Sequence, residues 1–299
     1  MQKERFPVVK DEFVFDEDLA DLDKSWEQLA EELLGETADN RKCMIEEFRA
    51  RIEDDKKLFG WMMKDESRFL CVRFLTRFLR AGGWEIKSSL QVLRNYSCLG
   101  REYPGIISLA IPNQLNIVWE KKLNSILEER DAFGRRIYIF RLGMWDPKTV
   151  PINQFYASAF VLFELLSREV KTQIAGVTVI ADISNFGSQH ISCLGLEQIK
   201  CIAAFLTGSM PVWFRRIHVV NHPRVFNLLY TMMKPSLVPR VSQNIIFHGS
   251  DFKKLHLEVP QNNLPEFLGG SGDMENGNVV RSGEDISQDF QTLINHLID

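Results

Sequence analysis

The spacing of hydrophobic and polar positions changes near the middle of the chain. Up to about residue 105, apolar side chains recur at helical intervals inside charged segments, as they do over 40–58 and 86–102. Beyond that point, short β-branched runs such as RIYIFR and GVTVIADI alternate with longer segments of helical period. The pattern predicts an α/β protein, in which a small all-helical module precedes a mainly parallel sheet whose strands are joined by crossover helices.

The same periodicities give approximate bounds for each element. Helices are predicted at 18–34, 40–58, 65–81, 86–102, 154–171, 196–207, 225–233 and 287–297, and strands at 136–141, 176–183, 217–220 and 243–247. The chain is expected to divide into a helical module over 1–105, an α/β domain over 106–270 and a polar, glycine-rich tail over 271–299. We expect the tail to be mobile and to carry the last short helix.

The segment 225–233 is unusually apolar. Its side chains Val225, Phe226, Leu228, Leu229, Tyr230, Met232 and Met233 occupy most of the helix circumference, and Pro235 stops the helix. A helix that is apolar all round is buried, faces lipid, or covers something apolar. The pattern therefore predicts either a core helix or a lid over an apolar cavity.

Composition and charge narrow the class of protein. Hydrophobic residues make up 45% and charged residues 25% of the 299 positions, and the net charge is −4, so nothing suggests a nucleic-acid partner. The five cysteines include no CxxC pair, which is typical of free thiols in a reducing compartment. The sequence has neither a signal-peptide pattern nor a run of roughly 18 apolar residues. We expect a cytoplasmic protein that contacts membranes peripherally.

The polar residues offer little support for catalysis. His218, His222 and His248 lie at or near strand ends, and Asp182 ends a buried strand. The chain contains no nucleophile elbow, phosphate-binding loop, dinucleotide fingerprint or zinc-protease motif. We expect structural roles, with Asp182 capping a loop and the histidines bonding backbone atoms. No enzymatic activity and no cofactor are predicted.

Many short motifs over about residues 60–270 occur in the order typical of the CRAL-TRIO lipid-transfer family. RFLTRFLRA, VLRNY and REYP resemble its helical module, and GRRIYIFRLGMWDP resembles its first strand and turn. The later helix and strand units of the family's domain are resembled by EVKTQIAGVTVIADISNFG, IAAFLTGSMPVWFRRIHVVNHP, IIFHGSD and LPEFLGG. The resemblance implies a lipid-binding domain over 106–270 with a deep cavity, floored by the sheet and closed by a mobile gate helix. Such a cavity holds one hydrophobic molecule and does no chemistry on it.

The resemblance also assigns positions to the cavity and to the gate. The implied ligand-binding residues are Tyr156, Ala159, Phe160, Phe163, Val177, Val179, Ala181, Ile202, Phe205, Leu206, Met210, Phe214 and Ile217, and the implied gate residues are Val225, Phe226, Leu228, Leu229, Met232 and Met233. Without the resemblance, the spacing of these residues is equally typical of ordinary core packing. On the central strand, Val177, Val179 and Ala181 should face one side, and Thr178 and Ile180 the other.

One departure from the family bears on the ligand. Ala159 and Phe163 stand where tocopherol-binding members carry serines, so two hydrogen-bond partners are lost and bulk is added. A retinoid, a carotenoid or another isoprenoid is therefore as plausible a ligand as tocopherol. Tyr156 is the clearest remaining polar partner, because a buried phenol usually seeks a hydrogen bond.

Basic residues beside the gate resemble the phosphoinositide-binding patch of tocopherol- and retinaldehyde-binding members. The residues assigned to this patch are Arg215, Arg216, Lys234 and Arg240. Gly82, Trp213 and Asn244 stand where the tocopherol-binding member has basic residues, and each lost cation removes about 1 kcal/mol of attraction to an anionic surface. Binding to anionic membranes is expected, with phosphoinositides as possible partners and Trp213 inserting at the interface.

The leading hypothesis is a carrier that moves a small hydrophobic ligand such as a retinoid, tocopherol or carotenoid between membranes. One alternative is a phosphatidylinositol or phospholipid transfer protein, against which the bulk of Phe160 and Phe163 argues. Another is a lipid-sensing scaffold module, with the long charged helices before Gly60 as a partner surface. A hydrolase or isomerase ranks last.

Overall fold

The computed structural model describes residues 14–15, 18–272 and 284–298. The helices before the sheet are α1 (Lys24–Leu34), α2 (Ala38–Asp54), α3 (Lys56–Phe59), α4 (Glu66–Phe69), α5 (Val72–Ala81), α6 (Ile86–Glu102), α7 (Pro104–Ile107) and α8 (Asn116–Glu120). The strands are β1 (Asn124–Arg130), β2 (Arg136–Phe140), β3 (Val177–Asp182), β4 (Phe214–Val220) and β5 (Ile245–Gly249). The later helices are α9 (Ile152–Arg168), α10 (Val170–Ala175), α11 (Ser188–Ile191), α12 (Leu196–Ala204), α13 (Phe226–Met233), α14 (Pro239–Ser242), α15 (Lys253–His256) and α16 (Glu284–Ile298).

The sheet has the order β1-β2-β3-β4-β5, and every neighbouring pair except β1 and β2 is parallel. Helices connect the parallel strands, so the predicted fold class is confirmed. The strand predicted to come first, RIYIFR, is the second, because β1 precedes it and pairs with it antiparallel. The sequence of β1, NSILEER, ends in charged residues and shows no clear alternation, which explains why the pattern missed it.

Local chemistry sets several helix ends. Thr37 and Asn40 form a reciprocal capping box at the start of α2. The predicted helix 40–58 divides at Asp55, whose carboxylate accepts a bond from the Leu58 amide and starts α3. The predicted helix 154–171 breaks at Glu169, which is extended between α9 and α10. There the buried Glu169 carboxylate is bound by Arg136 and by Arg130, 2.9 Å from the latter's Nη2.

The sheet separates two apolar cores, and the residues of β3 divide between its two faces as their alternation predicted. Val177, Val179 and Ala181 lie in the larger core, which the sheet shares with α9, α12 and the helical module. Ile180 lies in a smaller core behind the sheet, with Leu255 and Leu264. The front face of the sheet, toward the larger core, is therefore the face that can floor a cavity.

The last helix, α16, packs back against α6 of the helical module. Phe290, Leu293 and Leu297 on α16 are buried, and the close approach requires glycine at position 100. A Cβ at Gly100 would lie 2.2 Å from the Leu297 carbonyl oxygen. The predicted short helix is thus present, whereas the mobile tail predicted before it falls largely on 273–283, outside the described residues. None of the described helices has both the length and the apolar character needed to cross a bilayer.

Candidate ligand cavity

A cavity of about 80 Å³ lies between the front of the sheet and helices α9, α12 and α13. Apart from the phenols of Tyr138, Tyr156 and Tyr230, its lining is apolar, and none of the described residues contributes a charged side chain to it. The floor consists of two rows of cross-strand neighbours. One row is Tyr138, Val179, Ile217 and Ile245, and the other is Phe140, Ala181 and Val219. Parallel strands therefore present one apolar face to the cavity.

The structure brings seven of the thirteen predicted wall residues to the cavity surface: Tyr156, Phe163, Val179, Ala181, Ile202, Leu206 and Ile217. Ala159, Phe160, Val177, Phe205, Met210 and Phe214 are buried but lie outside the lining. The rings among them pack behind it, with Phe214 5.0 Å and Phe205 6.2 Å from the ring of Phe163. A helix or strand face is broader than the cavity it borders, so only some of the residues that the resemblance assigned to the wall reach the cavity surface.

Sequence reasoning missed several lining residues, namely Tyr138, Phe140, Leu142, Ile183, Ile199, Val219 and Ile245. Tyr230 was noted as an apolar residue of the gate helix but not assigned to the site. The signal for the strand residues was present, because Tyr138 and Phe140 alternate with Ile137 and Ile139 in β2. Extending the alternation of β3 to its neighbours would have found them.

Two phenols of the cavity differ in what their hydroxyl groups bind. Tyr138 donates to Asn124 Oδ1 at 2.5 Å, and the Asn124 amide in turn donates to Ser158 Oγ at 2.6 Å. The Tyr156 hydroxyl makes no hydrogen bond to any described residue, although the side chain is only 3% exposed. Burial raises the pKa of Tyr156, and the neighbouring Cys201 raises it further, so the phenol stays neutral. Tyr156 is thus the one of these two phenols with a donor free for a ligand.

Helix α13 is the predicted gate helix, and it covers the cavity without being buried in the core. Phe226, Leu229 and Met233 line the cavity from above, together with Tyr230. Leu228 and Met232 face outward, and their side chains are 54% and 44% exposed. Val225 precedes the helix and does not line the cavity. The helix is therefore apolar on both its inner and its outer face.

The predicted basic patch is arranged around an aromatic ring. The guanidinium carbon of Arg215 lies 3.2 Å from the ring centroid of Trp213, and that of Arg240 lies 3.8 Å from it. Burial lowers the pKa of Arg215 to about 9, with Arg240 and Arg135 adding to the effect. Lys234 is exposed at the end of α13. Trp213, which was expected to insert at the membrane interface, thus also contacts two cations and holds them close together.

Arg216 does not belong to this patch, contrary to the prediction. Its side chain lies behind the sheet, where Nε is 3.1 Å from Glu258 Oε2 and Nη1 donates to Asn244 Oδ1 at 2.9 Å. The Glu258 carboxylate compensates its charge. The absence of basic residues at positions 244 and 82, where the tocopherol-binding member has them, also has a structural reason. Asn244 orients Arg216, and a Cβ at Gly82 would lie 2.3 Å from Ser89 Oγ.

The polar residues considered for catalysis have structural contacts. Asp182 accepts hydrogen bonds from the Ser184 amide and from Asn221 Nδ2, both at 3.1 Å, so the loop-capping role is confirmed. His218 and His248 do not bond backbone atoms as predicted; Nδ1 of the first lies 2.9 Å from Nε2 of the second, behind the sheet. Within the described part of the chain, no cluster of His, Cys, Asp or Glu has the arrangement of a metal site.

Known proteins resemble the chain in sequence and in fold. The model of the CRAL/TRIO domain matches residues 120–270. Alpha-tocopherol transfer protein-like of Mus musculus is 29% identical over 222 residues, which cover 73% of this chain and 65% of that protein. Clavesin-1 of Rattus norvegicus is 31% identical over 146 residues, 49% of this chain and 41% of that protein. The crystal structure of Sfh5 superposes with a TM-score of 0.53 and 13% identity, covering 86% of this chain and 98% of that chain.

These similarities carry different weight. The likeness to Sfh5, at 13% identity, concerns the fold alone. The match to the tocopherol-transfer-like protein spans 65% of that protein's length, so its activity as a whole is not transferred to this chain. The family match is more direct, because residues 120–270 contain all five strands of the sheet and the helix over the cavity. The chain therefore belongs to the CRAL/TRIO domain family, whose members bind and transfer lipids.

Proposed function

We propose that this protein is a cytoplasmic carrier that binds one small hydrophobic molecule in the cavity and exchanges it at anionic membranes without altering it. The observation that carries the proposal is the position of α13, which closes an apolar cavity with one face and exposes Leu228 and Met232 on the other. A helix with two apolar faces can leave the cavity and enter the boundary of a bilayer without exposing new apolar surface to water.

Movement of the gate helix also supplies room for the ligand. The cavity of about 80 Å³ is small beside ligand pockets in general, which measure roughly 300–1,000 Å³. Phe226, Leu229 and Met233 occupy the space under α13. An outward displacement of the helix would remove these side chains from the cavity and open the path to the membrane in one step.

The lining favours an isoprenoid, such as a retinoid, tocopherol or carotenoid. Aromatic rings surround the cavity, with Phe140 stacked on Phe155 at 5.0 Å and Tyr138 at 4.9 Å from Phe163. Flat conjugated or branched apolar chains pack well against such rings. The free donor of Tyr156 suits a ligand with a terminal oxygen. A phospholipid headgroup would need charged partners, and the described lining supplies none.

The patch of Trp213, Arg215 and Arg240 supports docking to an anionic surface, with phosphoinositides as candidate partners. Two guanidinium groups on one indole ring place positive charge beside an aromatic side chain that favours the membrane interface. The protein would then bind membranes peripherally, with the gate helix and the patch as its contacts.

A transfer assay between vesicles tests this proposal. Leu228→Asp adds a charge to the outer face of α13, and Leu257→Asp, at a leucine 79% exposed behind the sheet, is the matched control. We expect Leu228→Asp to slow transfer of bound retinol from donor to acceptor vesicles, while Leu257→Asp leaves the rate unchanged. Equal rates for both folded variants would reject the gate.

Mass spectrometry of organic extracts from protein purified out of its native tissue identifies the ligand. A stoichiometric isoprenoid is the expected result. A phospholipid would favour phosphatidylinositol or phospholipid transfer, and protein that is reproducibly empty and takes up no lipid would favour a lipid-sensing scaffold.

A further inference from the structure

A groove rich in arginine runs along α5, between the helical module and the end of α9. It consists of two adjoining pockets of about 230 and 220 Å³, which share Arg73 and Arg168 and have no lining residue in common with the apolar cavity. The charged residues of this arginine groove are Arg41, Arg68, Arg73, Arg77, Arg80 and Arg168, and the carboxylates Asp18, Glu164 and Asp289. Cations thus outnumber the carboxylates that line the groove.

Arg80 and Arg41 are held by carboxylate inside the helical module. Glu36 accepts from both, at 2.8 Å from Arg80 Nε and 2.9 Å from Arg41 Nε. Their charges serve to fix α2 against α5, and they contribute little to binding in the groove. The remaining arginines, on α4, α5 and α9, are engaged differently.

Arg77 is a buried arginine with unused donors. Its Nη1 donates to Glu164 Oε1 at 2.8 Å and to Ser167 Oγ at 3.0 Å, and these are its hydrogen bonds to described residues. Only 7% of Arg77 is exposed, yet it lines the larger pocket, where Nε and Nη2 make no hydrogen bond to the described chain. Neither nitrogen is fully buried, so both face the open pocket, where an anionic ligand can reach their N–H groups.

Arg73 lies beside it and is held loosely. Its Nη2 is 4.0 Å from Asp18 Oδ2, and the two side chains are 56% and 62% exposed. An exposed pair at that distance contributes little to stability. Arg73 lines both pockets, and its side chain is more exposed than that of any other arginine in the groove.

Asp289 shows which chemical group the groove accepts. This residue of α16 brings its carboxylate to 2.5 Å from Arg68 Nη2 and to 2.6 Å from Arg168 Nη2. One anionic group therefore already bridges two of the arginines. The planar guanidinium fork that binds a carboxylate also binds a phosphoryl group, and with greater charge on the ligand.

We propose that the arginine groove is a second ligand site, which binds a phosphoryl group through Arg73 and the free donors of Arg77. Asp289 is the chain's own competitor for Arg68 and Arg168. The groove is separate from both the apolar cavity and the patch at Trp213. The phosphoryl group belongs either to a lipid headgroup or to a soluble phosphoester.

Titration of the full chain with inorganic phosphate at constant ionic strength tests the site. We expect saturable binding that Arg73→Gln weakens about tenfold, the usual size for losing a charge-assisted hydrogen bond. Asp289→Asn removes the competing carboxylate and should tighten binding. Arg94→Gln is the matched control, because Arg94 is 53% exposed and lies 3.8 Å from Asp55, much as Arg73 does from Asp18.

Absence of saturable binding in both the unmodified protein and Asp289→Asn would overturn the proposal, as would an equal loss in Arg73→Gln and Arg94→Gln. If Asp289→Asn loosens α16, the comparison of Arg73→Gln with Arg94→Gln still tests the site, because both arginine side chains are exposed and their substitution leaves the fold intact. A second titration with phosphatidylcholine vesicles containing phosphatidic acid identifies the source. Binding that depends on Arg73 and is competed by phosphate supports a lipid headgroup, and binding of phosphate alone supports a soluble phosphoester.

Discussion

The ring of Tyr230 on α13 meets the ring of Phe247 on β5 edge to face, with centroids 5.0 Å apart and planes at 74°. His222, just before the helix, contacts the same phenylalanine at 5.1 Å. Phe247 lies on the edge strand of the sheet and is 39% exposed, so it holds α13 from outside the cavity. An aromatic contact therefore latches α13 to the edge of the sheet.

We therefore expect Phe247→Ala to release the ligand faster. An edge-to-face pair contributes roughly 0.5–1.5 kcal/mol, so the release rate should rise about two- to tenfold. Loss of retinol fluorescence after mixing with acceptor vesicles measures this rate. Phe133→Ala is the control, because Phe133 lies over Arg135 in the turn between β1 and β2. A release rate that is the same in both variants would contradict the latch.

The arrangement of Trp213 predicts which arginines act in docking. Trp213→Ala removes the ring that both guanidinium groups contact and should weaken binding to vesicles containing anionic lipid. Arg240→Gln removes one cation and should weaken this binding by about 1 kcal/mol. The effect should fall as salt is raised, because added ions screen exposed charges. Arg216→Gln should change little, since Glu258 already compensates that arginine. Co-sedimentation with vesicles at two salt concentrations measures all three, and a loss for Arg216→Gln as large as for Arg240→Gln would refute the assignment.

Tyr156 and Tyr138 should differ in their effect on ligand choice. Tyr156→Phe removes the free hydroxyl donor and should weaken the binding of retinol by about 1 kcal/mol, the usual net contribution of one hydrogen bond. Its hydrocarbon analogue deoxyretinol should bind as before. Tyr138→Phe breaks the bond to Asn124 and should lower thermal stability, with no change in the preference between the two ligands. Fluorescence titrations with both ligands give the ratio of their affinities. An unchanged ratio in Tyr156→Phe would exclude a hydrogen bond between Tyr156 and retinol.

The regular parts of the fold were predictable from local sequence. The bounds of α6, 86–102, were predicted to the residue, and the alternation of β3 divided its residues correctly between the two faces of the sheet. Both depend on periodicity that adjacent residues carry. The edge strand β1 was missed because its sequence ends in charged residues and shows no clear alternation. The break at Glu169 was missed because this residue owes its extended conformation to arginines 33 and 39 positions earlier in the chain.

The site was predictable only in outline, for a similar reason. Which residues reach the cavity depends on how rings such as Phe163, Phe205 and Phe214 share the space between α9 and the sheet. The position of Arg216 depends on Glu258, which is 42 residues later and belongs to a different layer. Spacing assigns a residue to a face, whereas its contact within that face is decided by neighbours distant in sequence.

The pair of histidines behind the sheet makes the protein sensitive to acid. Burial, followed by His248, Arg216 and Arg135, lowers the pKa of His218 to about 3. The pKa of His248 is also lowered, by burial first and then by Lys254, while Glu258 and Asp251 oppose the shift. Below an unfolded pKa of about 6.5, the unfolded chain therefore binds protons that the folded protein excludes. This contribution to stability is complete above about pH 6.5 and is lost progressively as the pH falls toward 3.

We expect the free energy of unfolding to decrease by about 1 kcal/mol for each pH unit in that window from His218 alone. His218→Gln keeps a polar group opposite His248 but cannot take up the proton, so its stability should decline less steeply between pH 6.5 and 4. Urea unfolding at half-unit pH intervals measures both proteins. The loss of stability that protonation of carboxylates causes is common to both proteins. The difference between the slopes of their unfolding free energies therefore measures the contribution of His218. Parallel curves would show that this histidine takes up its proton equally in the folded and unfolded states.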